Sequence, residues 1–314
     1  MQGITKHYDR RAAVVDLTFS VPRGQVLGFL GPEGAGKSTT MRILAGSLRA
    51  TSGTASVAGR DVAERSREAR QHIGYLPETT PLYDDMRVAP YLETMCRLRG
   101  VRPGLRRVRV DDALAACGLT ERRGEVIGGL PGWQRLRVGL AQAVVHAPAV
   151  LLLDAPVAAL DPDAAAEARA LIGELARGRT AVVTGRALSD VAGICERVLV
   201  IRAGRSVAMD TLPNLNSRVA RPRGHEVTAV VGGRGGDAAA VLRRVRALPG
   251  VTDANLSDAE GEGDRRLTVT CEGEEVQDAV ARVVIEHGLR LKELSSRERS
   301  GEDALATLMP EEAR

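Results

Sequence analysis

The segment Gly31-Pro-Glu-Gly-Ala-Gly-Lys-Ser-Thr39 constrains this chain more than any other, because it fits G-x-x-x-x-G-K-[ST] in full. A short apolar run, Val26-Leu-Gly-Phe-Leu30, comes before it, and Met41-Arg-Ile-Leu-Ala45 continues beyond it as a helix. A buried strand, a glycine-rich turn and a helix in that order make a phosphate cradle. The glycines let backbone amides turn inward around phosphate oxygens, and the helix N-terminus adds partial positive charge. In such a loop Gly31, Gly34, Ala35 and Gly36 form the cradle. Lys37 bridges the β- and γ-phosphates, and Ser38, followed by Thr39, reaches a magnesium ion. A chance match in a glycine-rich chain is the plainer alternative, and the strand and helix on either side count against it. The segment predicts an α/β fold of the P-loop NTPase kind that binds Mg-ATP, with ATP and Mg2+ as its cofactors.

The first two-thirds of the chain carry the pattern onward. Val150-Leu-Leu-Leu153, Ala181-Val-Val-Thr184 and Val198-Leu-Val-Ile201 are further apolar runs. Runs apolar on both faces predict a covered, mainly parallel sheet. Between them Ala164, Ala168, Leu171, Ile172 and Leu175 repeat at helical spacing, with Asp161 as N-cap and Pro162 at the first helical position. Leu136, Leu140, Ala143 and Val144 mark another helix. Residues 81–147 hold no strong strand, which predicts an inserted helical subdomain. Aromatic residues are only 2% of the 314, so Val, Leu, Ile and Ala must fill the core.

Bulk charge narrows the partners. The net charge of +4 suits an anionic membrane surface but is no dense basic footprint, so a nucleic-acid partner is not expected. No stretch approaches the roughly 20 apolar residues that span a bilayer, and the N-terminus lacks a signal-type run. Cys96, Cys117, Cys195 and Cys271 form no C-x-x-C pair. That argues against zinc and against a disulfide framework, and suits a reducing cytosol.

The pattern changes near residues 214–224, where Pro222, Gly224 and polar residues mark a linker after Pro213. Beyond it His225 to Val231 alternates like a strand, and Val241, Val245 and Leu248 share a helix face. Val251 to Leu256 reads as a strand, followed by a Glu260-Gly-Glu-Gly263 turn and a strand with Leu267, Val269 and Cys271. A second helix carries Val276, Val280, Val283, Val284 and His287, and Leu289 and Leu291 start a last strand. This is β-α-β-β-α-β, the ferredoxin-like order of an α+β domain. The expected division is residues 1–213, a linker at 214–224, and 225–314. No internal repeat is present.

Asp154 closes the run Val150 to Leu153, where a Walker B carboxylate belongs. Ala159-Leu-Asp-Pro162 follows it, and Arg135-Leu-Arg-Val-Gly-Leu-Ala-Gln142 precedes it. Ile73-Gly-Tyr-Leu-Pro-Glu78 lies midway, and Lys6-His-Tyr8 stands at the start. In this order the chain, up to about Asp210, resembles the nucleotide-binding subunits of ABC transporters. Within them it is similar to the branch serving ABC-2-type exporters, including the gliding-motility-associated proteins. Ser300-Gly-Glu-Asp-Ala304 resembles, weakly, the accessory domain of that branch.

The resemblance implies an antiparallel β subdomain and a helical subdomain beside the core sheet. It implies ATP bound at a dimer interface with a second nucleotide-binding subunit, identical or different. It also implies a separate ABC-2-type membrane permease, with this chain peripheral on the cytoplasmic face. Tyr8 falls where an aromatic stacks on adenine; a core tyrosine is the alternative. Asp154 would hold Mg2+ through water. Glu78 sits where many relatives have the Gln that contacts Mg2+ and the attacking water, so Ser38, Asp154 and Glu78 are the implied metal group. Asp161 matches an aspartate that communicates across the dimer, a role compatible with capping a helix. Few residues precede Lys6, which predicts a shortened first edge strand or a start further upstream.

The chain departs from the family where turnover is decided. Asp-Glu-Pro-Thr becomes Asp154-Ala155-Pro156-Val157, so the carboxylate that polarises water is absent. Such a base contributes about 10² to 10⁴ in rate. The switch histidine becomes Arg186, which cannot accept a hydrogen bond but remains a fixed cation. Leu-Ser-Gly-Gly-Gln becomes Leu130-Pro131-Gly132-Trp133-Gln134. The serine hydroxyl and the Pro131 amide are gone, and the Trp133 indole is expected to obstruct the partner's phosphate, while Pro131 suits the first residue of the helix behind it. These residues predict an exporter subunit that binds ATP with hydrolysis weak or lost, and none of the catalytic positions intact. A non-transport pseudo-ATPase regulator is the alternative.

Overall fold

Apolar runs separated widely in sequence lie side by side as a six-stranded sheet. The computed structural model describes residues 1–9, 11–212, 214, 225–232, 238–259, 264–273 and 275–298. The chain divides into two units, Met1–Leu212 and Pro213–Arg314. In the first, β3 (Val26–Leu30) has every residue buried. It lies between β9 (Thr180–Gly185) and β10 (Arg197–Arg202), parallel to both. Parallel β8 (Val150–Leu153) and β7 (Ile73–Leu76) extend one side, and antiparallel β11 (Arg205–Thr211) closes the other. Burial on both faces is why β3 and β8 read as continuous Val and Leu runs rather than alternating ones.

A three-stranded antiparallel sheet is formed in the order β2 (Arg11–Leu17), β1 (Gln2–Tyr8), β4 (Ser52–Thr54). The first strand is therefore not at an edge: β1 has seven residues and sits in the middle. A small hairpin of β5 (Ser56–Val57) and β6 (Arg60–Asp61) leads into α2 (Ser66–Gln71), ahead of β7. Residues 81–147 carry α3 (Val88–Leu98), α4 (Pro103–Ala116) and α5 (Gly132–Val144). The core is aliphatic, with Phe19 and Phe29 paired inside it at a centroid distance of 5.7 Å.

His146 ties the end of the helical segment to β7. Its Nε2–H donates to the Ile73 carbonyl at 3.0 Å, while buried Nδ1 has no hydrogen-bond partner among the described residues. Burial, reinforced by Arg99, pushes the imidazole down to about 4 from its ordinary 6.5. Between those values the unfolded chain binds a proton that the folded chain refuses, so stability falls as pH drops from 6.5 towards 4. The contribution is about 1–3 kcal/mol. His146→Gln should flatten this part of the acid profile in denaturant titrations at pH 7 and pH 4.5.

In the second unit β12 (His225–Gly232) pairs antiparallel with both β14 (Arg265–Cys271) and β15 (Arg290–Glu298), and β13 (Val251–Asp258) pairs with β14. The order β13-β14-β12-β15 places the fourth strand beside the first and the third beside the second, as the ferredoxin-like connection requires. Counting α6 (Pro162–Ala176) and α7 (Leu188–Val191) in the first unit, the helices here are α8 (Ala238–Arg246) and α9 (Val276–Glu286). They bury Val241, Val245, Val280 and Val284 against Val227, Ala229, Leu267 and Val269. Leu248 lies just past α8, and His287 is the C-cap of α9 rather than part of it. The turn at 260–263, the segment Ser300–Ala304 and all of the linker except Asn214 lie outside the described residues.

Candidate functional site

Three neighbouring strands end together. Leu30 of β3 pairs with Gly185 of β9, and Leu153 of β8 pairs with Val183. The residues that follow, Gly31, Arg186 and Asp154, therefore emerge side by side at the carboxyl end of a parallel sheet, where α/β folds hold ligands.

The loop after β3 has no room for side chains at its turning points. A Cβ at Gly31 would lie 2.3 Å from the Ile201 carbonyl oxygen, and one at Gly36, where φ is +100°, would lie 2.3 Å from that of Ala13. The Gly204 amide donates to the Ala35 carbonyl at 3.0 Å and pins the loop. The helix α1 (Lys37–Leu44) starts directly behind it and contains Ser38 and Thr39. Lys37 is 9% exposed. Its Nζ donates to the carbonyls of Gly31 at 2.6 Å and Pro32 at 2.7 Å, which folds the ammonium into the loop. Burial pushes it below its ordinary value; the carboxylates of Asp154, Glu78 and Glu33 oppose that shift and Arg186 adds to it. A buried cation bonded to neutral carbonyls, in a loop that has no room for a side chain at Gly31 or Gly36, fits an anionic phosphate group.

Asp154 is buried and oriented by a relay. The Ala155 amide donates to Thr184 Oγ1 at 2.7 Å, and that hydroxyl donates to Asp154 Oδ1 at 2.7 Å. Ala155 sits at φ +46°, in the left-handed region. Its methyl offers no acceptor. Asp154 and Glu78 line one cleft of about 310 Å³ together with Ala155, Gly132 and Arg135. The Asp154 and Glu78 carboxylates in this cleft are hard oxygen donors of the kind Mg2+ takes, as is the Ser38 hydroxyl at the start of α1.

Arg186 is fixed by its backbone. Asp190 Oδ2 accepts from the amides of Arg186 at 2.7 Å and Ala187 at 3.2 Å. The guanidinium reaches back to Glu33 of the loop, Nη2 to Oε2 at 3.9 Å. Glu33, Thr184 and Asp190 were not anticipated. Thr184 is a hydroxyl closing an apolar run, and that was its only local signal.

Other candidate residues make their contacts elsewhere. Tyr8 is 41% exposed, with Lys6 Nζ 5.4 Å from its ring centroid, so the core-tyrosine alternative does not hold. Its strand partner Arg11 brings Nη2 within 3.9 Å of where a Cβ would stand at Gly34. Asp161 caps α6, its Oδ1 accepting from the Ala164 amide at 2.9 Å. Pro131 is the N-cap of α5, one position before the helix proper. The Trp133 indole is tied down within its own chain. Its Nε1 donates to Glu167 Oε2 at 2.9 Å, and the Arg137 guanidinium lies 4.5 Å over its ring.

Residues 14–158 match the family described as ABC transporter. The Nod factor export ATP-binding protein I of Burkholderia orbicola (strain AU 1054) is 36% identical over 212 residues, 66% of this chain and 68% of that one. The daunorubicin resistance ATP-binding protein DrrA2 of Streptomyces coeruleorubidus is 32% identical over 311 residues, 98% of this chain and 93% of that one. Among solved structures, an ATP-binding subunit of an ABC transporter superposes with a TM-score of 0.62 at 23% identity, over 69% of this chain and 91% of that one. A dimeric ATP-binding cassette in a post-hydrolysis state with ADP and Pi gives 0.61 at 22% identity, over 67% and 97%. These two share the fold. No helix among the described residues is long and apolar enough to cross a membrane.

Proposed function

We propose a function that proceeds from one fact: the chain belongs to the ABC transporter family of ATP-binding subunits. It binds Mg-ATP at the loop Gly31 to Thr39, pairs with a second nucleotide-binding subunit, and drives a separate ABC-2-type membrane exporter from the cytoplasmic face. Hydrolysis is weak or lost. The observation that carries this reading is the pairing of an intact phosphate cradle around Lys37 with a methyl group at Ala155, beside an Asp154 already oriented by Thr184. The relatives named for Nod factor export and for daunorubicin resistance support the export role, and the absence of a spanning helix among the described residues agrees with a separate permease.

In this reading the loop amides and Lys37 would hold the β- and γ-phosphates, and Ser38, Asp154 and Glu78 would hold the metal. Tyr8 meets the adenine, Asp161 faces the partner subunit, and Arg186 supplies a second cation. Bound Mg2+ neutralises phosphate charge. No side chain at position 155 takes the proton of the attacking water.

Binding and hydrolysis measured side by side on the full-length protein test it. ATP should bind at micromolar levels, with turnover at least about 10²-fold below that of a subunit with an intact base. Lys37→Ala should remove binding. No binding by the wild type would overturn the nucleotide role; fast turnover lost in Lys37→Ala would overturn the weak-hydrolysis part. Co-purification with a polytopic membrane protein tests the export role.

A further inference from the structure

Glu33 stands at a position where a carboxylate is hard to explain by folding alone. It is the third residue of the phosphate loop, and its side chain is 87% exposed. Its ion pair is with Arg186, itself 55% exposed, at 3.9 Å. Exposed pairs of this kind contribute little to stability, too little to account for a fixed negative charge at the mouth of an anion site. Toward a polyphosphate the charge is unfavourable unless a cation stands against it. Arg186 is that cation, and its backbone is fixed beside the loop. Its amide is held by Asp190, and its strand end is locked to the strand end of the loop through Leu30 and Gly185. Both groups act on Lys37, the residue that marks the phosphate position, with opposite sign.

Building on the nucleotide-binding reading above, we propose that Glu33 and Arg186 form a charge gate through which the site distinguishes ATP from ADP. With no γ-phosphate at the mouth, the guanidinium stays with Glu33. A γ-phosphate competes for the same guanidinium as a better acceptor, since it carries more charge and takes charge-assisted hydrogen bonds. ADP reaches less far and leaves the pair closed. Glu33 thus sets a threshold that only the extra charge of the triphosphate overcomes, and Arg186 converts that charge into affinity.

The test is a double-mutant cycle on the full-length protein, with Mg-ATP and Mg-ADP dissociation constants measured by calorimetry. Glu33→Gln should tighten ATP about 3- to 10-fold and change ADP by less than about 2-fold. Arg186→Ala should weaken ATP about 10-fold or more, because Glu33 is then unopposed. In the double variant ATP affinity should recover over Arg186→Ala by at least about threefold more than Glu33→Gln gains in the wild type, and Arg186→Lys should keep most of the ATP preference. Raising salt to 1 M should shrink all these differences, because both groups are exposed. Thermal midpoints close to wild type show that the variants fold. Strictly additive effects, or equal changes for ATP and ADP, overturn the gate while leaving nucleotide binding in place. Failure of the wild type to bind either nucleotide overturns both.

Discussion

Ala155→Glu is expected to raise steady-state ATP hydrolysis by about 10- to 10²-fold. A well-placed general base contributes about 10² to 10⁴, and the lower range applies because Arg186 and Pro131-Gly132-Trp133 remain. The new carboxylate starts from a backbone already held in place: the Ala155 amide is bonded to Thr184, which is bonded to Asp154. Ala155→Gly is the control. Glycine at φ +46° relieves left-handed strain and should stabilise the chain by about 1 kcal/mol, with no gain in phosphate release. An equal rise in both variants would mean that backbone relaxation, not a base, was limiting. No rise with glutamate would move the main defect to Arg186 or to the start of α5.

Gly36→Ala is expected to abolish nucleotide binding, raising the dissociation constant at least about 100-fold, the size of losing one or two charge-assisted hydrogen bonds. The methyl would lie 2.3 Å from the Ala13 carbonyl at φ +100°. Backbone on one side and left-handed geometry on the other leave only one way out, which is to move the loop away from β2 and turn its amides off the phosphate. Gly24→Ala makes the comparison fair. Gly24 also has positive φ, at +83°, but an added Cβ there meets nothing within 4 Å. It should lower the melting temperature through strain alone and leave calorimetric ATP affinity unchanged. Matching losses of affinity in both variants would show that general destabilisation, not the shape of the cradle, controls binding.

Much of the architecture was legible because its signals are local. The parallel strands β3, β8, β9 and β10 announced themselves as apolar runs, whereas β7, interrupted by Gly74 and Tyr75, did not, and Asp161-Pro162 with helical spacing behind it marked the start of α6. Helix ends were less legible. Leu248 and His287 continue the apolar or helical spacing, yet fall just past the ends of α8 and α9, since spacing does not say where backbone bonding stops. The position of β1 was misjudged because pairing with β4 comes from residues about fifty positions away. The partner of the Trp133 indole was not legible either: it is Glu167, on a helix whose register the local sequence around Trp133 does not contain.

The sequence by itself determined the phosphate cradle, since nine contiguous residues between a strand and a helix specify it. It also determined which side chains stand at Ala155, Pro131 and Arg186, because the chemistry of a side chain belongs to its own position. Only the tertiary structure decided that Thr184 orients Asp154, that Asp190 fixes the backbone of Arg186, and that Arg186 meets Glu33. Parallel pairing of β3, β9 and β8 brings together residues that lie up to about 150 positions apart in the chain. The loop remains the strongest local signal in the chain, and its carboxylate acquires a meaning only when the adjacent strand delivers a guanidinium beside it.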